Sequence, residues 1–184
     1  MPEHPSAIVI LAEDQEHQNL VWHYLKNCPR YKKKMRDVRK VALPGSHGCG
    51  SQYVREQFPK EVAECRKRHL KPLLIVITDA DNLSAVEREQ TLHKELAENN
   101  QNAVNAAEPI VLLVPKWQVE TWIKCLVGQT VLESDKYSDR PAVTSQDIIN
   151  ASRTLYAWAR PNAQVGNTCV NSLNAALPRW LRIG

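Results

Sequence analysis

The sequence predicts an α/β fold, a doubly wound and mainly parallel four-stranded sheet flanked by helices, with a helical C-terminal extension. Four short apolar runs alternate with segments of helical periodicity, a pattern typical of parallel strands joined by right-handed crossovers. The third run is continuous and is bounded by Pro72 and by polar residues, as expected of a central strand buried on both faces. The length of 184 residues suits an α/β domain in residues 1–128 and an extension in residues 129–184, packed on it or binding a partner.

The first apolar run, residues 7–12, reads as a strand that ends in Glu13 and Asp14. Apolar residues then recur at helical spacing until Pro29, which predicts a helix of about three turns. Asp14 is placed to favour the N-terminus of this helix. We assign Glu13 to the crevice beyond the strand, where parallel sheets bind their ligands.

A basic segment, residues 30–40, contains seven basic residues and one acid. It is either a solvated approach to the second strand, residues 38–43, or a surface that binds a polyanion. The candidate nucleic-acid contacts are Lys32, Lys33, Lys34 and Arg36.

A glycine-bearing loop, residues 44–51, follows the second strand and is neither a dinucleotide fingerprint nor a P-loop. Its N–H groups, with Ser46, His47 or Ser51, could meet a phosphate at the start of the next helix, residues 52–70.

Two aspartates, Asp79 and Asp81, follow the third strand, residues 73–78. Because side chains alternate along a strand, both should leave it on the same side. Two neighbouring carboxylates repel each other, and a hard divalent cation relieves that repulsion. The alternative is a loop whose Asp and Asn side chains cap the following helix.

Ser84 and Glu87 form a capping-box pattern that predicts a helix reaching about Glu98, and residues 99–105 then read as a loop. The fourth strand, residues 109–114, runs into Lys116 and Glu120, which therefore lie near the same edge of the sheet.

An acidic site is expected at this edge if the first and third strands are neighbours. Glu13, Asp79 and Asp81 would then converge, with Glu120 nearby. Hard oxygen ligands without clustered His or Cys favour Mg²⁺ or Mn²⁺ over zinc.

The C-terminal extension should contain a helix that Thr144 or Ser145 caps and Pro161 ends, and then a last amphipathic segment. Its tryptophans and arginines are either core anchors and surface charges or a surface that stacks on nucleic acid. These residues are Trp158, Arg160, Arg179, Trp180 and Arg182.

Three features of the sequence resemble the Toprim domain of topoisomerases, primases and OLD-type nucleases. They are Glu13 after the first strand, the strand-terminal Asp79-Ala80-Asp81, and the parallel α/β frame. The later Glu120-Thr121-Trp122 is similar to that of small stand-alone Toprim-related proteins often found near prokaryotic defence genes. The resemblance covers roughly residues 7–127, and it implies that Glu13 is a general acid or base while Asp79 and Asp81 bind Mg²⁺.

Composition limits the compartment and the partners. Five scattered cysteines without a C-x-x-C pair indicate reduced thiols, and no apolar run approaches the roughly 20 residues of a membrane span. The N-terminus has no basic segment followed by an apolar one, so we expect a cytoplasmic protein without membrane contact. The net charge of +4 is modest, so any nucleic-acid surface must come from local clustering.

These observations predict metal-dependent phosphoryl transfer on nucleic acid, with nicking or cleavage of DNA in preference to RNA. The predicted catalytic residues are Glu13, Asp79, Asp81 and Lys116, the metal ligands are Glu13, Asp79, Asp81 and Glu120, and Lys116 joins the basic segment in holding the polyanion. Any ATPase would be a partner chain, as would another defence protein.

Two alternatives stay open. One is a signalling receiver with Asp79 as phosphoacceptor beside Glu13, Asp14 and Lys116. The other is an inactive scaffold that binds a defence partner.

Overall fold

The computed structural model describes residues 5, 7–43, 50–135 and 142–184, and it confirms the predicted fold class. Four strands form one all-parallel sheet: β1 (Ile8–Ala12), β2 (Val38–Lys40), β3 (Leu73–Ile77) and β4 (Ile110–Leu113). Within the described residues, six helices surround it: α1 (Gln15–Asn27), α2 (Gly50–Lys67), α3 (Ala85–Glu98), α4 (Val119–Leu126), α5 (Ser145–Trp158) and α6 (Asn171–Ile183). A 3₁₀ segment, Pro29–Asp37, lies between α1 and β2.

The helix-start signals in the sequence are confirmed. Asp14 caps α1 by accepting a hydrogen bond from the N–H of His17. Capping boxes join Ser84 to Glu87 at the start of α3 and Thr144 to Asp147 at the start of α5. The sequence did not predict α4, and Ser46 and His47 of the glycine-bearing loop lie outside the described residues.

The sheet is buried on both faces, as predicted for its central strands. Alternate residues of each strand face two separate cores because strand side chains alternate. Ile8, Ile10 and Ile75 belong to the core shared with α1, α4, α5 and α6, whereas Val9 and Val76 belong to the core shared with α2 and α3.

The C-terminal helices are part of the first of these cores. Trp180 of α6 is fully buried, with its ring centroid 4.7 Å from that of Tyr24. Arg179 donates to the carbonyl of Leu112 on strand β4, and Arg182 donates to the carbonyl of Glu108 just before it. Of the two roles expected for the extension, covering the sheet is therefore the one the fold displays. None of the helices in the described ranges has both the length and the apolar character that a membrane crossing requires.

The strand order is β2-β1-β3-β4, so β1 and β3 are neighbours, as the convergence of the acids required. The chain passes from β1 to one side of the sheet and from β3 to the other. Open parallel sheets bind ligands beyond the carboxyl ends of the strands at such a switch point. The residues that follow β1 and β3 therefore occupy the favoured position for a site.

Candidate metal centre

Glu13 is fixed by the residues that follow β3. Ala12 pairs with Ile77, so Glu13 lies beside Thr78 in the next register position. Oε2 of Glu13 accepts a hydrogen bond from the Thr78 hydroxyl at 2.7 Å and another from the backbone N–H of Asp79 at 3.0 Å. The other oxygen, Oε1, accepts no hydrogen bond from any residue in the described ranges.

The start of α2 presses against Glu13. A Cβ atom on Gly50 would lie 2.3 Å from Cγ of Glu13 and 2.9 Å from its backbone oxygen. Contacts this short are excluded for any other residue, so only glycine permits this close approach.

Asp79 is held from the opposite side by His17 of α1. Nε2 of the fully buried His17 lies 2.8 Å from Oδ1 of Asp79, and Nδ1 lies 2.6 Å from Oδ1 of Asp14. An imidazolium donates from both nitrogens, so the protonated ring satisfies both carboxylates at once. Oδ2 of Asp79 accepts no hydrogen bond from the described residues, and the Asp79 side chain keeps 11% of its surface exposed.

Burial and neighbouring charge shift the titration of these groups. Burial raises the pKa of Asp79 to about 7; the bond from His17 opposes that rise, and the charges of Glu13 and Glu120 add to it. Burial alone would lower the pKa of His17, but the carboxylates of Asp79 and Asp14 outweigh it and hold that pKa well above 6.5. A buried site with more acid than base therefore takes up protons near neutral pH, and a divalent cation would supply the missing positive charge.

Glu13, His17 and Asp79 form one cluster, which we call the switch-point cluster. Each offers a ligand atom, and these atoms lie within 4.8 Å of one another. Two carboxylates with one unoccupied oxygen each fit a hard divalent cation such as Mg²⁺ or Mn²⁺.

Glu120 lies close to this cluster, in the first turn of α4. Burial raises the pKa of its carboxyl group, and its charge contributes to the raised pKa of Asp79. Glu120, itself a predicted metal ligand, therefore lies near the cluster but outside the group of three.

Asp81 does not join the switch-point cluster, contrary to the sequence prediction. The extended backbone ends before it, and Asp81 adopts a left-handed conformation with φ of 53°. Its carboxylate pairs with Arg88 at 2.8 Å. The alternation of strand side chains therefore ends before Asp81 and does not place it on the same side as Asp79.

Lys116 lies at the carboxyl edge, as predicted, but its charge is directed to the turn after β3. Its Nζ donates to the carbonyl of Leu83 at 2.6 Å and lies 5.6 Å from the ring centroid of Trp117. Trp117 has a φ of 65°, a strained value for a bulky residue. The structure does not bring Lys116 into contact with the cluster.

The predicted nucleic-acid residues of the basic segment lie at the opposite edge of the sheet. The 3₁₀ segment enters β2 at its amino end, and Nζ of Lys34 donates to the carbonyl of Pro5, which precedes β1. Lys32, Lys33 and Arg36 are exposed there. Strand β1 has five residues and separates the two edges by about 16 Å, so these residues cannot contact the same phosphate as the cluster.

His17 is the site residue that the sequence reasoning missed. The one local signal was its position three residues after Asp14, at the start of a helix. That spacing brings a side chain over the capping residue, but it does not reveal that the other ring nitrogen reaches Asp79.

Comparisons with protein-family models, with curated proteins and with solved structures found no match to this chain.

Proposed function

We propose that this chain is a metal-dependent phosphodiesterase acting on nucleic acid, with Mg²⁺ or Mn²⁺ held by Glu13 and Asp79. The observation that carries the proposal is the state of these two carboxylates at the β1/β3 switch point. Each is fixed through one oxygen, Glu13 by Thr78 and Asp79 by His17, and each keeps the other oxygen without a partner among the described residues.

This arrangement suits a cation site better than a structural one. Unpaired acids in a low-dielectric crevice are costly without positive charge, and His17 already serves two carboxylates. A hydrogen-bonded ligand shell is also what orients carboxylates toward a metal.

Phosphoryl transfer is a chemistry that such a cation site would support. A divalent cation bound there would neutralise a phosphodiester and activate a water molecule. Glu13 would hold the cation through Oε1, and Glu120 adds a further carboxylate beside the cluster. The similarity of the Glu13 and Asp79 motifs to Toprim nucleases supports the same reaction, DNA as substrate, and a role in prokaryotic defence, with any ATPase on a separate chain.

The test is cleavage of mixed DNA and RNA substrates in Mg²⁺ or Mn²⁺ by the wild type, Asp79→Ala and Asp81→Asn, purified in parallel. Asp81→Asn is the matched control because Asp81 lies in the same segment but pairs with Arg88. We expect Asp79→Ala to lose cleavage and Asp81→Asn to keep it. Equal activity of Asp79→Ala and the wild type would refute the proposal.

A second candidate, the receiver, is favoured by the strand order. The order β2-β1-β3-β4 is that of flavodoxin-like sheets, including signalling receivers, and Asp79 follows β3 as a phosphoacceptor would. The structure gives less support to the chemistry, because Oδ1 of Asp79 is bonded to His17 and Lys116 is bonded to Leu83. Incorporation of phosphate from acetyl phosphate into the wild type but not into Asp79→Asn would favour the receiver over the nuclease.

A further inference from the structure

His17 has an unusual position for a residue near a metal site. Its ring is fully buried, and each nitrogen lies within hydrogen-bond distance of a different carboxylate, 2.6 Å from Asp14 and 2.8 Å from Asp79. Asp14 is itself fixed, because its Oδ1 also accepts the N–H of His17 as the cap of α1. The ring is therefore held by its own helix before it meets Asp79.

The hydrogen bond from His17 makes the two oxygens of Asp79 unequal. Oδ1 receives Nε2 of His17, and Oδ2 has no partner among the described residues. Glu13 shows the same division, with Oε2 bonded to Thr78 and to the N–H of Asp79.

We propose that His17 is a positioning residue that fixes Asp79 through Oδ1 and reserves Oδ2 for the divalent cation, and that it is not itself a metal ligand. This inference rests on the proposed function, because it assigns a role within the same cation site. The switch-point cluster would then supply the cation with oxygen ligands and no nitrogen ligand.

Coordination by His17 would require one of its two hydrogen bonds to break. Loss of the bond to Asp79 would leave a buried carboxylate oxygen without its charged donor, which costs about 1–3 kcal/mol or more. The ring cannot avoid this by turning, because a half-turn about Cβ–Cγ would place carbon atoms where the two nitrogens now meet Asp14 and Asp79. An oxygen-only site favours Mg²⁺ and Mn²⁺, whereas an imidazole ligand would favour zinc.

The first experiment measures the electron spin echo modulation of Mn²⁺ bound to the wild type without nucleic acid. The proposal predicts no ¹⁴N coupling from a directly bound imidazole. A ¹⁴N modulation from a directly coordinated nitrogen, which is lost when histidine is labelled with ¹⁵N, would overturn the proposal. This measurement needs no variant, so it does not depend on how well a His17 substitution folds.

The second experiment measures the Mn²⁺ dissociation constant of two substitutions by calorimetry. The amide of His17→Asn reaches only toward Asp14, so the bond to Asp79 is lost and the dissociation constant should rise about 10- to 100-fold. His17→Gln places its amide near the Nε2 position and should restore most of the affinity. His23→Gln is the control, because His23 lies on the same helix without contact to the cluster.

An unchanged dissociation constant in His17→Asn would overturn the positioning role alone, since the cation would still bind. Absence of Mn²⁺ binding by the wild type would overturn the proposed function together with this role. The two failures are therefore distinguishable.

Discussion

Replacing Asp79 with asparagine should stabilise the metal-free protein at alkaline pH. The folded-state pKa of Asp79 is about 7, against 3.8 for an ordinary aspartate, so the native state binds more protons than the unfolded state between these values. The free energy of unfolding must then fall as the pH rises from about 4 to about 7. This difference in pKa corresponds to at most about 4 kcal/mol once Asp79 is ionised. Asparagine keeps an oxygen for His17 and removes the charge.

Urea unfolding at pH 5 and at pH 8.5, with a chelator present, measures the effect. At pH 5 the two proteins should have similar stability, because Asp79 is largely protonated in the fold. At pH 8.5 Asp79→Asn should be the more stable, by up to about 4 kcal/mol. The raised pKa of His17 also makes stability fall as the pH rises above about 6.5, because the unfolded state loses this proton before the folded state does, so the comparison is made between proteins at each pH.

Asp81→Asn is the control, with the same chemical change two residues away. Asp81 is half-exposed and asparagine keeps an oxygen for the buried Arg88, so its replacement should change stability by a similar amount at both pH values, without the gain expected of Asp79→Asn at pH 8.5. An Asp79→Asn protein that is less stable than the wild type at pH 8.5 would refute the reasoning. The ionised pair of His17 and Asp79 would then be net stabilising.

Three further predictions test other parts of the structure. Gly50→Ala places a Cβ 2.3 Å from Cγ of Glu13, so we expect a loss of about 1–3 kcal/mol and a smaller rise in melting temperature with Mn²⁺; an unchanged melt would contradict the close approach. Trp180→Ala should cost about 3–5 kcal/mol in a single unfolding transition, because Trp180 lies in the core shared with β1 and β3; a separate transition for the C-terminal helices would show that they form their own unit. Replacing Lys32, Lys33 and Arg36 with Gln should weaken nucleic-acid binding without changing turnover at saturation. The slope of the logarithm of the binding constant against the logarithm of the salt concentration should fall by about 0.9 per lost phosphate contact. An unchanged slope would exclude the basic segment as a binding surface.

The fold was predictable because its signals are local. Unbroken apolar runs such as residues 73–78 specify buried strands, and capping residues such as Asp14 and Ser84 mark helix starts. Glu13 and Asp79 converge only because β1 pairs with β3, and the sequence alone does not determine that pairing.

The site predictions failed where short-range sequence patterns no longer determine the structure. Alternation predicted the direction of Asp81 only while the strand continued, and aspartate tolerates the left-handed conformation that ends it. His17 meets Asp79 across 62 positions of sequence, which no local spacing reveals. The position of Lys32 was open to inference, because a segment that leads from a helix into a parallel strand lies at the amino edge of the sheet.

The most direct test of the central claim is a calorimetric titration of Mn²⁺ into the wild type, Asp79→Asn and Asp81→Asn. Glu13 and Asp79 supply the cation site in this account, whereas Asp81 is occupied by Arg88. We expect binding by the wild type that strengthens as the pH rises through about 7, loss of binding in Asp79→Asn, and retention in Asp81→Asn. Binding that survives in Asp79→Asn, or that is absent from the wild type, would contradict the account.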